Sequence, residues 1–436
     1  MNAFDDAALI ERAHAILRRN DRGAFTVPTH GLYPFQWNWD SCLTALGQAH
    51  RDEDRAWTEI ETLFAHQWPD GMVPHIVFHE EDDGYFPGPQ VWRTGRPVAT
   101  SGITQPPVAG YCVARLFERA GDRQMARERA ARLLPAIHRW HEWFYAHRDP
   151  DGTGLVAIIH PWESGRDNSV DWDAAFERVP TDGVEPFTRR DTNHADPAHR
   201  PTQAQYERYI WLVQRFRSLD WDNRALHDAS PFRIVDPGFN AILLRSLEET
   251  ARLAQRLDAP DIAARSRERM TRGIEALEAL WSDAHGQYLC FDRVAGERVD
   301  SASIGGLLAS FAAIPRPRAA AIARRIERLA KDCRFIVPSH DPCDPRFDAL
   351  RYWRGPVWLI VNHMIADGLA RADETALAGR IARASLDLIR DHGFAEYYGP
   401  HDGTPCGGDS FTWTAAMVIE FLTRPFGPDA EREDAA

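Results

Sequence analysis

The feature that most constrains the fold of this chain is a repeated order of elements. A helix ends at an Asp/Gly turn, a short extended segment with polar and aromatic residues follows, and a second helix begins. This order occurs around residues 68–78, 149–159, 281–291 and 391–398. No run of alternating strands interrupts it, so the hydrophobic periodicity predicts an all-α protein with short extended segments.

Apolar residues at helical spacing predict about twelve helices arranged in pairs. Helical stretches are expected at about residues 5–19, 53–66, 108–119, 123–147, 203–218, 237–256, 259–280, 316–331, 353–369 and 373–390, and further helices begin near Asp40, Ser301 and Ser410. Polar and aromatic clusters precede every second helix, which favours two concentric rings of helices, an α/α toroid, around one pocket. An α-solenoid is the alternative, and it would place binding on an extended concave face.

The chain of 436 residues is long enough for several average domains or for one large toroid. We expect a single catalytic domain over residues 1–426, followed by a disordered acidic tail at 427–436. A polar segment at 180–202 interrupts the helical pattern. Segments of this length in a compact domain are usually lids or disordered, and both possibilities are open.

The charge pattern and the missing motifs exclude several classes of function. The net charge of −13 is spread without a basic stripe, which argues against nucleic acid or an anionic membrane as partner. The first residues contain no apolar segment of signal-peptide length, so a cytoplasmic location is expected. No P-loop, G-x-S-x-G or H-E-x-x-H motif occurs, and His75 and His79 lack a third clustered ligand. We therefore expect no metal and no organic cofactor, in a monomer or a homo-oligomer.

Residues 161–169, PWESGRDNS, combine two carboxylates, an arginine, an amide and an indole. Such a cluster is a poor core but suits a sugar site, in which aromatic faces cover the sugar and polar groups hold its hydroxyls. Glycoside hydrolysis needs a proton donor and a second carboxylate opposite it. Asp167 or Glu163 could be the donor, although a helix N-terminus capped by Asp and Ser is the simpler explanation.

A second candidate carboxylate is Glu396, which lies between aromatic residues in the segment GFAEYYGP at 393–400. The alternative is an edge residue paired with an arginine. Aromatic residues also accompany Asp40 in the segment 33–40 and Arg354 in the segment 352–358. Because buried charges require specific partners, these clusters favour a site over an ordinary core.

Four segments together resemble glycoside hydrolase family 63, and in particular its bacterial mannosylglycerate and glucosylglycerate hydrolases. They are FQWNWDS from Phe35, PWESGRDNSVDWD from Pro161, YWRGPVWLIVN from Tyr352 and FAEYYGP from Phe394. The resemblance covers nearly the whole chain in the right order. It implies an (α/α)6 toroid and hydrolysis of an α-glycosidic bond with inversion. Asp167 would be the general acid and Glu396 the general base, with the carboxyls roughly 6.5–9.5 Å apart.

The same resemblance implies a sugar subsite and a cradle for the leaving group. The sugar subsite would contain Tyr33, Trp37, Trp39, Asp40, Gln105, Trp162, Gly165, Arg166, Trp353, Gly355 and Trp358. A glycerate carboxylate would need a cationic or hydroxyl-rich cradle, for which Arg208 and Tyr206 are the candidates. Phe35 and the charged segment 180–202 depart from the family pattern and leave the identity of the leaving group open.

We therefore expect an inverting hydrolase of a small α-glucoside or α-mannoside, with glucosylglycerate and mannosylglycerate as the first candidate substrates. An α-glucosidase of the same family could instead act on a disaccharide, with a trehalase-like or a kojibiose- or nigerose-like specificity. Two alternatives come from other classes. One is a toroid-fold sugar epimerase, which would need catalytic histidines, and the other is a sugar-binding protein without activity.

Overall fold

A computed structural model describes residues 3–424 and 426, and twelve helices in this part of the chain form two concentric rings. The outer helices are α1 (Ala3–Asn20), α3 (Glu53–Phe64), α6 (Arg123–Arg148), α11 (Pro260–Leu277), α13 (Arg316–Leu329) and α15 (Thr375–His392). The inner helices are α2 (Asn38–Gln48), α5 (Ala109–Arg119), α10 (Pro237–Arg256), α12 (Ile304–Leu308), α14 (Leu359–Arg371) and α16 (Thr412–Thr423). Outer and inner helices alternate along the chain.

The inner ring is closed. Contacts run from α2 to α5, α10, α12, α14 and α16, and α16 packs against α2 again. Outer helices cover this ring: α3 packs on α2, α11 on α10 and α15 on α14. The ends of a solenoid would stay apart, so the closure confirms the predicted toroid.

Burial explains which helices form each ring. Every residue of α2 is buried, as are residues 359–369 of α14, so these helices are surrounded by protein on all sides. The outer helix α3 instead buries Ala56, Ile60 and Leu63, which recur at helical spacing on one face. An apolar stripe of this kind directs one face of a helix to the core and leaves the other in water.

Buried ion pairs join the inner helices α10 and α14 to the residue that follows α16. The Asp367 carboxylate on α14 is 1% exposed and lies 3.0 Å from Arg245 on α10 and 3.1 Å from Arg424 beyond α16. Burial would raise the pKa of Asp367, but these arginines outweigh burial and hold the pKa below its usual value. Removing one partner of a buried pair leaves an uncompensated charge, so this cluster fixes how the helices meet.

The helix expected at 353–369 was predicted to begin too early. The structure begins α14 only at Leu359, and the preceding residues form a turn and an extended stretch. A Cβ on Gly355 would lie 2.3 Å from the backbone oxygen of Asp348, so only glycine permits this close approach. The Val357 N–H then donates to the Tyr398 carbonyl at 2.8 Å, which holds the chain extended.

The connection between α6 and α10, residues 149–236, is long and irregular. It contains the short helices α7 (Asp173–Glu177) and α9 (Asn223–Ala229) and the longer α8 (Gln203–Arg217). The segment 180–202 lies within it and forms only two short 3-10 turns. One more short helix, α4 (Pro89–Trp92), lies between α3 and α5.

The extended segments are two-residue strands in antiparallel pairs. β1 (Gln36–Trp37) pairs with β2 (Ile76–Val77), β4 (Trp281–Ser282) with β5 (Gln287–Tyr288), and β8 (Tyr397–Tyr398) with β9 (Pro405–Cys406). β3 (Ile234–Val235), β6 (Phe291–Asp292) and β7 (Glu297–Arg298) form a small sheet in that order. Within residues 3–424 and 426, no helix has the length and apolar character to cross a membrane. The tail predicted at 427–436 lies outside the described residues.

Candidate active site

A cavity at the N-terminal ends of the inner helices brings together most of the residues expected at a sugar site. Its volume is about 80 Å³. The predicted residues that line it are Tyr33, Trp37, Trp39, Asp40, Gln105, Trp162, Gly165, Asp167, Tyr206 and Glu396. Aromatic rings and carboxyls thus share one concave surface, which is the composition of a sugar-binding pocket.

The segment 33–40 forms one wall of the cavity. β1 ends at Trp37 and α2 begins at the next residue, so Trp39 and Asp40 lie in the first turn of an inner helix. The Trp39 backbone N–H donates to the side-chain oxygen of Gln105 at 3.2 Å. The Trp37 ring meets the Tyr33 ring edge-on at 5.2 Å. These contacts hold the Trp39 backbone and the Trp37 ring in place.

Asp167 lies in a tight turn that follows a short 3-10 helix, Pro161–Ser164. Gly165 ends this helix with a φ of +68°, and a Cβ there would lie 2.7 Å from the Trp39 ring. Backbone conformation and close packing therefore both require glycine. The Tyr209 hydroxyl donates to the Asp167 carbonyl oxygen at 2.9 Å. The turn is thus anchored from α8 as well as from α2.

Glu163, the other carboxyl of this segment, is buried behind the turn and does not line the cavity. One of its oxygens lies 2.9 Å from the Arg148 guanidinium, and the other accepts the Ile159 N–H at 2.9 Å. Both partners of this ion pair are 1% exposed. Loss of either charge would leave the other unpaired in the core, so Glu163 supports the turn, and of the two carboxyls only Asp167 faces the cavity.

Glu396 reaches the cavity from the opposite end of the sequence, just before β8. Its Oε1 accepts the Tyr33 hydroxyl at 3.0 Å, and its Oε2 accepts the Gly408 N–H at 3.1 Å. The Tyr33 hydroxyl also lies 3.1 Å from the Tyr352 hydroxyl. A Cβ on Gly407 would lie 2.1 Å from Oε2, so the backbone can approach the carboxylate only because that residue is glycine.

The carboxyls of the cavity have raised pKa values. Burial raises the pKa of Asp167 to about 7, while the Arg200 charge opposes the shift and the Glu396 charge adds to it. Burial also raises the pKa of Glu396, against the effects of Arg200 and of the hydrogen bonds that Glu396 accepts. The pKa of Asp40 lies well above its usual range, mainly through burial. A carboxyl with a pKa near 7 retains a proton to donate at neutral pH.

The segment 180–202 supplies a buried cation to the cavity. Arg200 is 5% exposed, and its Nε lies 3.3 Å from a carboxylate oxygen of Asp191. Its guanidinium carbon lies 4.2 Å from the centre of the Tyr352 ring. Nη1 of Arg200 has no hydrogen-bond partner among the described residues. A buried guanidinium nitrogen without a hydrogen-bond partner is unusual in a folded protein.

Arg166 does not line the cavity, although the family resemblance implies a sugar contact. Its guanidinium lies 3.0 Å from Asp171 and 2.9 Å from Asp236, and it donates to the Ser303 hydroxyl at 3.0 Å. A Cβ on Gly305 would lie 2.3 Å from Nη2. Arg166 therefore joins the Asp167 turn to the starts of α10 and α12 from behind the wall.

Trp353, Gly355 and Trp358 also lie behind the cavity wall. The Trp353 and Trp358 rings are parallel at 3.8 Å, and Trp358 stacks on Tyr397 at 4.6 Å. These rings form a platform under the strand that follows Glu396. Two parallel indoles and a phenol in contact bury a large apolar area, which keeps this wall rigid.

Arg208 lies outside the cavity, in a separate surface depression that Arg351 and Arg354 share. Its guanidinium donates to the Ala204 carbonyl at 3.3 Å, one turn back along α8. Tyr206 is on the face of the same helix that lines the cavity. Because side chains two residues apart on a helix point about 200° away from each other, Tyr206 and Arg208 lie on opposite faces of α8.

Several residues that line the cavity were not singled out in the sequence as sugar-site residues. They include His75, Tyr85, Phe86, Arg190, Asp191, His194, Arg200, Phe411 and Trp413. The available signals were weak: Tyr85 and Phe86 lie in a Gly/Pro-rich passage, and four of the others lie in the polar segment 180–202. Within the described part of the chain, no three His, Cys, Asp or Glu side chains cluster as metal ligands would.

Comparisons with known proteins agree with this geometry. Residues 33–414 match the family model of the mannosylglycerate hydrolase MGH1-like glycoside hydrolase domain. The mannosylglycerate hydrolase of Thermus thermophilus is 47% identical over 95% of this chain and 100% of its own length. The glucosylglycerate hydrolase of Mycolicibacterium hassiacum is 33% identical over 96% of this chain and 99% of its own.

A solved structure is similar over the same length. The crystal structure of a family 63 mannosylglycerate hydrolase from Thermus thermophilus, in complex with Tris and D-glycerate, matches with a TM-score of 0.93 and 48% identity. The match covers 95% of this chain and 100% of that one. The chain therefore belongs to the mannosylglycerate hydrolase MGH1-like family of glycoside hydrolases, within glycoside hydrolase family 63.

Proposed function

We propose that this glycoside hydrolase cleaves mannosylglycerate and glucosylglycerate with inversion, using Asp167 as general acid and Glu396 as general base. The observation that carries the proposal is the meeting of these two carboxyls, which are distant in sequence, in one aromatic cavity. The substrate class is taken from relatives named as mannosylglycerate and glucosylglycerate hydrolases.

In the proposed reaction, the Asp167 carboxyl gives its proton to the glycosidic oxygen as the bond from that oxygen to C1 breaks. Glu396 removes a proton from a water that attacks C1 from the opposite face. The products are free glycerate and a sugar whose C1 configuration is inverted. Asp167 is then ionised and Glu396 protonated, and exchange with solvent restores both. The pKa of about 7 for Asp167 supports its role as the donor.

The sugar would bind between the segment 33–40 and the Asp167 turn. Trp39 and Trp162 offer apolar surface to the C–H groups of the ring, as is usual in sugar sites. Asp40 and Gln105 offer polar groups to the hydroxyls. Gly165 would let the sugar lie close to the backbone. The buried positions of these side chains support a tightly bounded subsite for a single sugar.

Arg200 is a better candidate than Arg208 for the glycerate carboxylate. It lines the same cavity as Asp167, is buried, and has a nitrogen without a hydrogen-bond partner in the described residues. A guanidinium can hold a carboxylate through two parallel hydrogen bonds. Tyr206, which was predicted as a cradle residue together with Arg208, lines the same cavity as Arg200. The related Thermus structure, which contains D-glycerate, is compatible with a glycerate subsite in this fold.

The segment 180–202 would act as a lid over the leaving-group side. It contributes Arg190, His194 and Arg200 to the cavity lining. Phe187 of the same segment stacks on Phe86 at 5.0 Å with nearly parallel rings. Opening of a lid of this kind lets substrate enter, and closure excludes bulk water from the reacting bond.

Cavity chemistry favours a hydrolase over a sugar epimerase. Burial lowers the pKa of His75 well below its usual range, so this histidine is a poor acid at neutral pH. His194 is exposed. The carboxyls Asp40, Asp167 and Glu396 surround the same space, which suits acid and base catalysis by carboxyl groups.

The test is a substrate panel of mannosylglycerate, glucosylglycerate, trehalose, kojibiose, nigerose and methyl α-mannoside, with sugar release measured for each. We expect the two glycerate conjugates to have the highest kcat/KM. Hydrolysis of a disaccharide with no activity on either conjugate would instead support the disaccharide-specific alternative. Binding of the conjugates without sugar release would indicate a protein that is not an enzyme.

A further inference from the structure

We propose that Glu59, which lies on the outer helix α3 and does not line the cavity, is a positioning residue for the sugar subsite. Its carboxylate holds both flanks of the segment 37–40, which carries Trp37, Trp39 and Asp40. This inference rests on the proposed function, because it concerns how the same sugar subsite is prepared for its ligand.

One oxygen of Glu59 contacts both flanks of that segment. Oε1 accepts the Ser41 hydroxyl at 2.5 Å and lies 3.3 Å from the side-chain nitrogen of Gln36. The same Gln36 nitrogen also donates to the Glu59 backbone carbonyl at 3.1 Å. Ser41 directly follows Asp40, and Gln36 directly precedes Trp37. A single buried carboxylate thus sets the position of the strand end and of the first turn of α2.

The second oxygen of Glu59 anchors the carboxylate itself. Oε2 accepts the Thr26 hydroxyl at 2.8 Å and the Arg55 guanidinium at 2.7 Å. Arg55 also donates to Asp21 at 3.0 Å. Glu59 is 0% exposed, so these bonds form where water cannot replace them. The carboxylate therefore cannot shift without breaking several buried hydrogen bonds at once.

The orientation of Gln36 is fixed by a further partner. Its side-chain oxygen lies 2.7 Å from Nε2 of His79. Because the amide nitrogen is committed to Glu59, this oxygen must accept, and His79 must carry its proton on Nε2. Burial, assisted by His66, lowers the pKa of His79 to about 4, so the imidazole is neutral at neutral pH. With its oxygen held by His79, Gln36 presents its amide nitrogen to Glu59 as a donor.

Glutamine at position 59 cannot satisfy this arrangement. Its amide nitrogen would face either the Gln36 amide nitrogen or the Arg55 guanidinium, and neither of these groups can accept a hydrogen bond. A buried donor without an acceptor costs about 1–3 kcal/mol. The chain can relieve this cost by moving Gln36 or Ser41, and the indoles between them would move too.

The test compares the binding of glucose and of D-glycerate to Glu59→Gln and wild type, each titrated by the tryptophan fluorescence of the cavity. We expect roughly tenfold weaker glucose binding and unchanged D-glycerate binding, because the segment 180–202 shares no hydrogen bond or ion pair with this network. Ser41→Ala, which keeps the Arg55 pair, should show a smaller loss in the same direction. A structural defect alone would lower the thermal unfolding temperature without separating the two ligands.

Glu61→Gln is the matched control, because Glu61 is on the same helix and pairs only with Arg129 and Arg132 among the described residues. It should bind both ligands as wild type does. Unchanged glucose affinity in folded Glu59→Gln and Ser41→Ala, or equal losses for both ligands, would overturn the proposal. If wild type binds glucose but not D-glycerate, the proposed substrate fails, and the glucose comparison still tests Glu59.

Discussion

Replacing Asp167 by asparagine should abolish turnover and, at the same time, stabilise the folded protein at alkaline pH. The pKa of this carboxyl rises from an ordinary 3.8 to about 7, mainly because of burial. Between these values the folded protein keeps the proton that the unfolded chain has lost. The stability that this group contributes is therefore complete below pH 3.8 and is lost as the pH rises to about 7. Asparagine has the same shape and never ionises, so the variant avoids this loss.

The size of the effect follows from the shift. About three pKa units correspond to about 4 kcal/mol above pH 7, which is an upper value because the carboxyl is partly open to the cavity. At pH 5 the loss is about 1–2 kcal/mol, so the advantage of Asp167→Asn should grow by roughly 2–3 kcal/mol between pH 5 and pH 8. Urea unfolding of the variant and of wild type at the two pH values measures this difference in the free energy of unfolding.

The control for this experiment is Asp151→Asn, which changes an exposed carboxyl in a turn of the same connection. It should not change the pH dependence of the free energy of unfolding. If Asp167→Asn behaves like this control, the carboxyl does not lie in an environment that disfavours its charge. Its suitability as a proton donor at neutral pH would then have no physical basis.

Three further predictions concern the same cavity. Glu396→Gln should lower kcat by about 10²–10⁴-fold in a folded protein, because an amide cannot take a proton from water. Near-normal turnover would remove Glu396 from the mechanism. Above pH 7, where Asp167 ionises, kcat/KM should fall about tenfold per pH unit. It should also fall at acid pH, where Glu396 with its raised pKa gains a proton. A flat profile from pH 6 to 9 would contradict these two assignments. Arg200→Gln should raise KM for mannosylglycerate about tenfold but leave KM for methyl α-mannoside nearly unchanged. It should also move the alkaline limb to higher pH, since Arg200 lowers the pKa of Asp167, and equal effects on both substrates would argue against a carboxylate contact.

The ring architecture was predictable because it depends on local patterns. Helix pairs, Asp/Gly turns and small-residue inner helices are visible in the sequence, and the closed ring of the structure agrees with them. The start of α14 was not predictable in the same way. Apolar periodicity carried the predicted helix back to Trp353, although Pro356 disfavours a helical conformation at Gly355. The structure holds these residues out of the helix because Gly355 packs on Asp348 and Val357 pairs with Tyr398. These partners are set by tertiary structure, which the local pattern does not contain.

In the candidate site, too, residues marked by local motifs were predictable, and residues placed by distant partners were not. Asp167 and Glu396 stand out because motifs surround them, and both line the cavity. Arg166 belongs to the same motif, but its partners Asp236 and Ser303 come from distant segments and hold it behind the wall. Arg200 lies in a segment without periodicity, and composition alone could not tell which of its arginines turns inward.

The most direct measurement is a proton NMR time course of mannosylglycerate hydrolysis, begun within seconds of adding enzyme. If Asp167 protonates the leaving oxygen while Glu396 activates water on the opposite face, β-mannose forms first. The α-anomer then appears only at the rate of spontaneous mutarotation. Initial formation of α-mannose would contradict inversion and the division of roles between these two carboxyls.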